Sequence, residues 1–390
     1  MELGDVREWK VEAVRQVDYR VALAASILDP ANTALAEALT ADREGSMRRL
    51  VVVDDVISAL YGEQINEYMG AHGFEATIVV LAATEPAKNW DSVQQVLAAM
   101  DEMKLDRRRE PVIGIGGGVL LDIVGFAASV YRRGTPYVRI PTTLIGLVDA
   151  GVGVKTGVNH RDGKNKIGTY AHADMNLCDP AFLATLPKRH LVNGMAEILK
   201  VALMKSADLF ELMEQLGGSV VEDKFQRAVA DPSSAEHTVL AAAIQLMLEE
   251  LQPNLWESKL ERCVDYGHTF SPVIEMHALP ELLHGEAVCI DMALTTAIAR
   301  GRGLLSESDA ERTFAYMRAI GLPIWADFLT DSALLHEALM HTVRHRDGKQ
   351  RLPLPVGIGG HTFVDDVTNA EIDAAVRHLQ VLERGLTRAA

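Results

Sequence analysis

A chain of 390 residues, 48% hydrophobic and 24% charged, has material for roughly two or three domains and the balance of a soluble globular protein. Its formal net charge of −16 excludes an extended nucleic-acid surface, which needs clustered lysine and arginine, but not a local phosphate site. No apolar run reaches the roughly 18 residues that span a bilayer; the charged start MELGDVREWKVEAVRQ lacks a secretory core, and three scattered cysteines (Cys178, Cys263, Cys289) form no disulfide framework, so a cytoplasmic protein is expected.

The first half alternates. RRLVVVDDVI (48–57) is a β-branched strand ending in Asp54 and Asp55, followed by a helical stretch to Gly73. FEATIVVLAA (74–83) reads as the next strand and DSVQQVLAAMDEMKL (91–105) as the next helix. PVIGIGGGVLLDIVGFAASVY (111–131) is strand, glycine turn and helix, and PYVRIPTTL (136–144) is another buried strand. Strands alternating with helices predict a parallel sheet covered on both faces. Within the third unit, Gly116, Gly117 and Gly118 would let backbone amides at a helix N-terminus approach a pyrophosphate. The spacing is not the ordinary G-x-G-x-x-G fingerprint, and a tight turn that binds nothing fits it as well. Asp54 is open in the same way, to a ribose hydroxyl or to a helix N-cap.

VDAGVGVKTGVNHRDGKNKIG (148–168) reads as a long, polar, glycine-rich loop carrying Asp149, Lys155, Lys164 and Asn165. Long loops of this kind are often functional. Its lysines suit an anion, most simply a phosphate, or else a solvated surface. Beyond it the periodicity turns helical in the stretches 189–216, 235–251, 285–305 and 369–386, with EDKFQRAVADPSSAEH (222–237) as a polar connection. The division falls near LPKRH (186–190), giving an α/β domain over 1–187 and a mostly α-helical domain over 188–390.

In the first of these helices, GMAEILK (194–200) puts Glu197 and Lys200 three residues apart on one face. A surface salt bridge would explain the pair, yet the flanks Met195, Ala196, Ile198 and Leu199 do not read as a solvated face. VDYGHTFSP (264–272) and LLHGEAV (282–288) each set a histidine, His268 and His284, beside a glycine in an apolar, helix-like run. With a carboxylate from another helix they make the three-ligand set of a catalytic zinc site. Two satisfied core histidines are the alternative, since the short H-x-x-x-H spacing is absent.

Six segments, GGGVLLDIVGFAASVYRRG, IPTTLIGLVDAGVGVKTGVN, GKNKIG, LVNGMAEILK, YGHTF and LHGEAV, together resemble in the same order the sugar phosphate cyclases, the family of 3-dehydroquinate synthase. The resemblance implies a Rossmann-like NAD-binding domain, a helical domain, and zinc (or cobalt in its place) between them. It implies a homodimer acting on a small sugar phosphate, with no nucleic-acid or membrane partner. By position it implies Glu197, His268 and His284 as metal ligands, and Asp149, Lys155, Asn165, Lys200 and Asp265 as catalytic residues. Arg133 matches a phosphate-binding arginine that reaches the other subunit's site. Asp54, Glu85, Lys88, Gly117, Gly118, Asp122, Thr142, Thr143 and Lys164 match cofactor-binding positions.

Departures from the pattern bear on the substrate. Dehydroquinate synthases carry an arginine, an asparagine, a second histidine and a lysine where this chain has Glu261, Asp265, Pro272 and Met247. A substrate carboxylate would there meet like charge and unpaired desolvation. The stretches 247–272 and 343–360 resemble instead the 2-epi-5-epi-valiolone synthases, which cyclise sedoheptulose 7-phosphate. NHRDGKN (159–165) fits the dehydroquinate synthase loop better, which keeps 2-epi-valiolone and desmethyl-4-deoxygadusol open as products, and 3-dehydroquinate synthase itself as an alternative. The implied cycle is redox-neutral: oxidation at C5 by NAD⁺, β-elimination of phosphate, return of the hydride, ring opening and an intramolecular aldol step. A zinc polyol dehydrogenase of related fold would instead accumulate NADH.

Overall fold

The structure, a computed structural model, describes residues 8–41, 45–161, 163–278 and 281–387. Residues 1–7 of the charged N-terminal stretch and Asp162 of NHRDGKN lie outside the described residues. The chain begins with β1 (Arg20–Leu23) and α1 (Ala34–Thr40) and then alternates. β2 (Arg48–Asp54), α2 (Asp55–Ala71), β3 (Glu75–Leu81), α3 (Trp90–Glu102), β4 (Val112–Gly116), α4 (Gly118–Val130) and β5 (Tyr137–Pro141) follow. After a hairpin, β6 (Lys155–His160) with β7 (Gly163–Tyr170), comes β8 (Met175–Cys178).

Six of these strands form one parallel sheet in the order β1-β8-β5-β4-β2-β3. The strand residues alternate between two cores. Val51, Val53, Ile113, Ile115, Val138 and Ile140 face α1 and α2, while Leu50, Val52, Val112 and Tyr137 face α3 and α4. A sheet buried on both faces explains the near-continuous apolar runs. From β2 the chain steps to one side for β3 and to the other for β4, so the order reverses between β2 and β4. Crevices at the C-terminal ends of strands flanking such a reversal bind ligands in open α/β sheets.

The second part is helical: α5 (Lys188–Lys205), α6 (Ala207–Leu216), α7 (Ser219–Glu222), α8 (Gln226–Ala230), α9 (Ala235–Leu251), α10 (Ser271–His277), α11 (His284–Gly301), α12 (Glu307–Ala319), α13 (Ser332–His345) and α14 (Asn369–Thr387). A small antiparallel pair, β9 (Leu352–Pro355) with β10 (His361–Val364), precedes α14. α5 and α11 are buried along almost their whole length and pack on each other. Their core also takes in Leu144, Leu147, Cys178 and Leu186 from the strand-rich part.

Three readings change. The stretch 148–168 is no long loop: after a wide helical turn at Gly146–Ala150, closed by Gly151 N–H donating to Gly146 O, it forms the β6–β7 hairpin. Its strands are largely polar in sequence, and the cross-strand pair Val158 and Ile167 packs into the core beside α4, so it shows no apolar periodicity although it is anchored. The connection 222–237 contains α8, anchored by Phe225, which is fully buried at φ +59°. His268 lies in a turn, between the short helical turn Cys263–Asp265 and α10, rather than inside a helix. Pro272 sits exposed in the first turn of α10, where its missing N–H costs nothing.

Candidate active site

α5 delivers Glu197 and Lys200 to one face, both buried to within 2% exposure. Lys200 Nζ lies 2.6 Å from Glu197 Oε2 and 3.2 Å from Asp149 Oδ2, so the pair is internal and has nothing of a surface salt bridge. The two carboxylates raise the Lys200 ammonium above its ordinary value although burial works against it. Glu197 Oε1 is buried and makes no well-aligned hydrogen bond. It faces His284 Nε2 at 3.4 Å and His268 Nε2 at 3.9 Å. One ligand atom from each of Glu197, His268 and His284 lies within 4.8 Å of the others, the only such trio of possible metal ligands among the described residues.

The ring nitrogens turned away from this focus are already engaged. His284 Nδ1 is 2.9 Å from Glu275 Oε2, and His268 Nδ1 is 3.1 Å from the Tyr266 carbonyl. Each contact keeps the proton on Nδ1 and leaves Nε2 as the donor atom, the usual outer-sphere arrangement of metal-bound histidine. Glu275 in turn accepts from Lys164 Nζ at 2.6 Å. Burial and the neighbouring Lys200 push His268 down to about 4. Burial also works against His284, but its contacts with Glu197 and Glu275 hold it at about 9. Against their own burial, Lys200 and the histidines hold Glu197 well below the usual carboxylate range, and His284 with Lys164 brings Glu275 down to about 2. An orphaned carboxylate oxygen facing two aligned imidazoles fits a divalent ion, which would take the place of the His284 proton.

At the C-terminal end of the interior strand β4, Gly117 caps α4 and Gly118 opens it. A Cβ on Gly117 would lie 3.1 Å from Thr143, and one on Gly118 would lie 3.3 Å from Ala150, next to Asp149. Thr142 N donates to Gly116 O, and Thr143 Oγ1 accepts from Gly146 N. Asp54 accepts from Val56 N and Ile57 N, so it does cap α2, and it also stands at the β2/β4 reversal. The crevice fits a dinucleotide's phosphates and ribose. Beside it, Lys88 Nζ binds Asp122 (2.5 Å) and Asn165 (2.6 Å), while Glu85 accepts from Asn159. These contacts tie the cofactor-side positions to the hairpin.

A second wall of the site alternates in charge. Lys155 meets Glu257 at 2.9 Å; Glu257 and Asp265 both pair with Arg262; and Asp265 reaches Arg346 at 3.4 Å. The four departures therefore do not act together. Glu261 and Pro272 are exposed, Met247 is buried in the helical core, and only Asp265 belongs to the wall, where two arginines neutralise its charge. Arg133 stands apart from both clusters, exposed in the turn after α4 at φ +66°. Glu275, Glu257, Arg262 and Arg346 went unnoticed in the sequence because no spacing rule links them to the histidines. The one signal that could have found Glu275 is the general need of a ligating histidine for a carboxylate or carbonyl partner.

The 3-dehydroquinate synthase family matches in two parts, its N-terminal model over residues 78–193 and its C-terminal model over 194–347. A 2-epi-5-epi-valiolone synthase from Actinoplanes sp. (strain SE50/110) is 56% identical over 367 residues, covering 94% of this chain and 92% of that protein. A demethyl-4-deoxygadusol synthase from Trichormus variabilis is 38% identical, covering 94% of this chain and 88% of that protein. The structure of a 2-epi-5-epi-valiolone synthase from Streptomyces hygroscopicus subsp. jinggangensis 5008, with NAD⁺ and Zn²⁺ bound, superposes with a TM-score of 0.90 at 53% identity, over 96% of this chain and all of that one.

Proposed function

Since the chain belongs to the 3-dehydroquinate synthase family of sugar phosphate cyclases, we propose that it converts sedoheptulose 7-phosphate to 2-epi-5-epi-valiolone with release of phosphate, as a carbon–oxygen lyase of cyclitol biosynthesis. The observation that carries this reading is the Glu197–His268–His284 trio with Lys200 and Asp149 against it, in a chain 56% identical to a synthase of that product. In this reading the trio holds zinc, or cobalt in its place, and the β2/β4 crevice holds NAD, with Asp54, Glu85, Lys88, Gly117, Gly118, Asp122, Thr142, Thr143 and Lys164 around it. When bound, the ion supplies Lewis acidity toward substrate oxygens and NAD⁺ takes up and returns one hydride.

The chain's own groups supply charge and position. Lys200 keeps a proton on Nζ throughout, balancing Glu197 and stabilising negative charge on a substrate oxygen nearby. Asp149 fixes the direction of Lys200. Glu275 keeps the His284 proton on Nδ1 and Lys164 holds Glu275 in place. Lys155, Arg262 and Asn165 line the side on which we place the phosphate and sugar hydroxyls, and Asp265 accepts from a hydroxyl there. The leaving phosphate can take the adjacent proton itself, so no strong base is required of the protein. Arg133, exposed and away from its own site, serves the second subunit of a cytoplasmic homodimer. We place the division between the cofactor and substrate parts at 187/188.

Incubation of the purified protein with NAD⁺, Zn²⁺ and sedoheptulose 7-phosphate should release one phosphate per sugar, give 2-epi-5-epi-valiolone by NMR, and leave NADH absorbance flat. One NADH accumulated per sugar would overturn the cyclase in favour of a dehydrogenase. Another cyclitol in the NMR spectrum would select a sister cyclase, the reading that the 38% identity to a demethyl-4-deoxygadusol synthase favours next.

A further inference from the structure

α11 carries more than His284. Asp291 lies seven residues along it, on the same face two turns later, and is completely buried. Its Oδ2 accepts from the backbone of Phe270 (2.5 Å) and Ser271 (2.8 Å), the residues that follow the His268 turn. Its Oδ1 is buried with no hydrogen bond. The charge that faces it is Arg346, which is also bound to Asp265 and to the carbonyls of Gln350 and Arg351. The same helix grips the other side of the turn. Tyr266 Oη bonds Met292 O and Thr296 Oγ1, and Gly267, at φ +75°, fits against Val288 and Met292 with no room for a Cβ. Residues 266, 267, 270 and 271 are thus all fastened to α11, and His268 stands between them.

We propose that Asp291 is a positioning residue for the metal: by clamping the 270–271 backbone to α11, it fixes His268 at the distance from His284 that one ion requires. This rests on the reading of Glu197, His268 and His284 as the ligand set. A carboxylate that binds two backbone amides is about twice as strong a clamp as a neutral oxygen. Asp291→Asn therefore loosens the turn and Asp291→Ala releases it. Partners of metal ligands typically change metal affinity by about 10–100-fold when replaced. Zn²⁺ affinity, measured by competition with a chromophoric chelator, should fall within that range for Asp291→Ala and less for Asp291→Asn. The visible spectrum of the Co²⁺-loaded protein should change in both, because one imidazole is displaced. A purely structural brace would lower the melting temperature of the metal-free protein and leave the Co²⁺ bands where they are. Unchanged zinc affinity and an unchanged Co²⁺ spectrum in Asp291→Asn overturn the inference, whether or not Asp291→Ala folds. His284→Ala is the control for the ligand set: zinc binding that survives it removes that reading, whereas wild-type binding lost in His284→Ala and kept in both Asp291 variants removes only the clamp.

Discussion

The spacing of Glu197 and His284 is set by the contact between α5 and α11, and that contact turns on Gly285. Its N–H donates to Asn193 Oδ1 at 2.5 Å, and a Cβ there would stand 2.0 Å from the Asn193 carbonyl oxygen. Asn193 lies one helical turn before Glu197, and Gly285 directly follows His284, so any displacement passes straight to those two side chains. Gly285→Ala must open the contact by roughly 1.5 Å to reach ordinary van der Waals separation of about 3.5 Å. Overpacking of a tight core costs about 1–3 kcal/mol, which lowers the melting temperature by about 1–4 °C in a chain of this size. A misplacement of about 1 Å near the chemistry costs about 10²-fold in rate. Calorimetry, zinc competition and a phosphate-release assay should therefore all register Gly285→Ala. Trimming the partner to Asn193→Ala should not rescue it, because the obstructing atom belongs to the backbone. A Gly285→Ala protein with wild-type melting, zinc affinity and turnover would refute this account of how the helices space Glu197 and His284.

Three other outcomes are expected. Lys200→Met leaves Glu197 and Asp149 without their buried counter-charge, a loss of about 3–5 kcal/mol; urea titration should show it in the metal-free protein, with added zinc restoring more stability than in the wild type. Glu371, bound by Arg302 at 2.7 and 3.0 Å, is held down at about 2 by that guanidinium. A depressed carboxylate stabilises above its unfolded value of about 4.3 and loses that contribution as pH falls toward 2, so Glu371→Gln should melt lower than the wild type at pH 7 and converge with it in that window. Asp265→Asn removes the anion that holds Arg346 and leaves Arg262 paired with Glu257 alone, so a substrate carboxylate can take the vacated place, and kcat/KM for the keto-acid phosphate of dehydroquinate synthases should rise at least ~10-fold relative to sedoheptulose 7-phosphate; an unchanged ratio would show that Asp265 does not discriminate between them.

Four of the six sheet strands, β2 to β5, were legible because they are apolar runs and the first three are each followed by a helix of period 3.6; β1 and β8, four residues each, were not read from the sequence. Glu197 was legible for a related reason: a charged residue flanked by Met195, Ala196, Ile198 and Leu199 has to be buried, and a buried carboxylate has to be paired. The hairpin was not, because its strands are largely polar and a single cross-strand pair, Val158 with Ile167, carries its apolar packing. Nor was the partner of His284. Glu275 is nine residues away across a turn, and only the folded path of α10 brings its Oε2 to Nδ1.

The wall around Asp265 shows a different kind of limit. Aligned against the family pattern, Glu261, Asp265, Met247 and Pro272 are four changes of equal standing, and they add up to an acidic pocket that repels a carboxylate. Folding separates them. Glu261 and Pro272 face solvent, Met247 packs into the core, and Asp265 meets Arg262, its neighbour three residues back, and Arg346, which arrives from beyond α13. The cations that a carboxylate would need are present but already committed. On the proposed function, discrimination comes from occupancy: a substrate carboxylate would have to displace Asp265 from both arginines, whereas a hydroxyl would donate to Asp265 and leave the network whole.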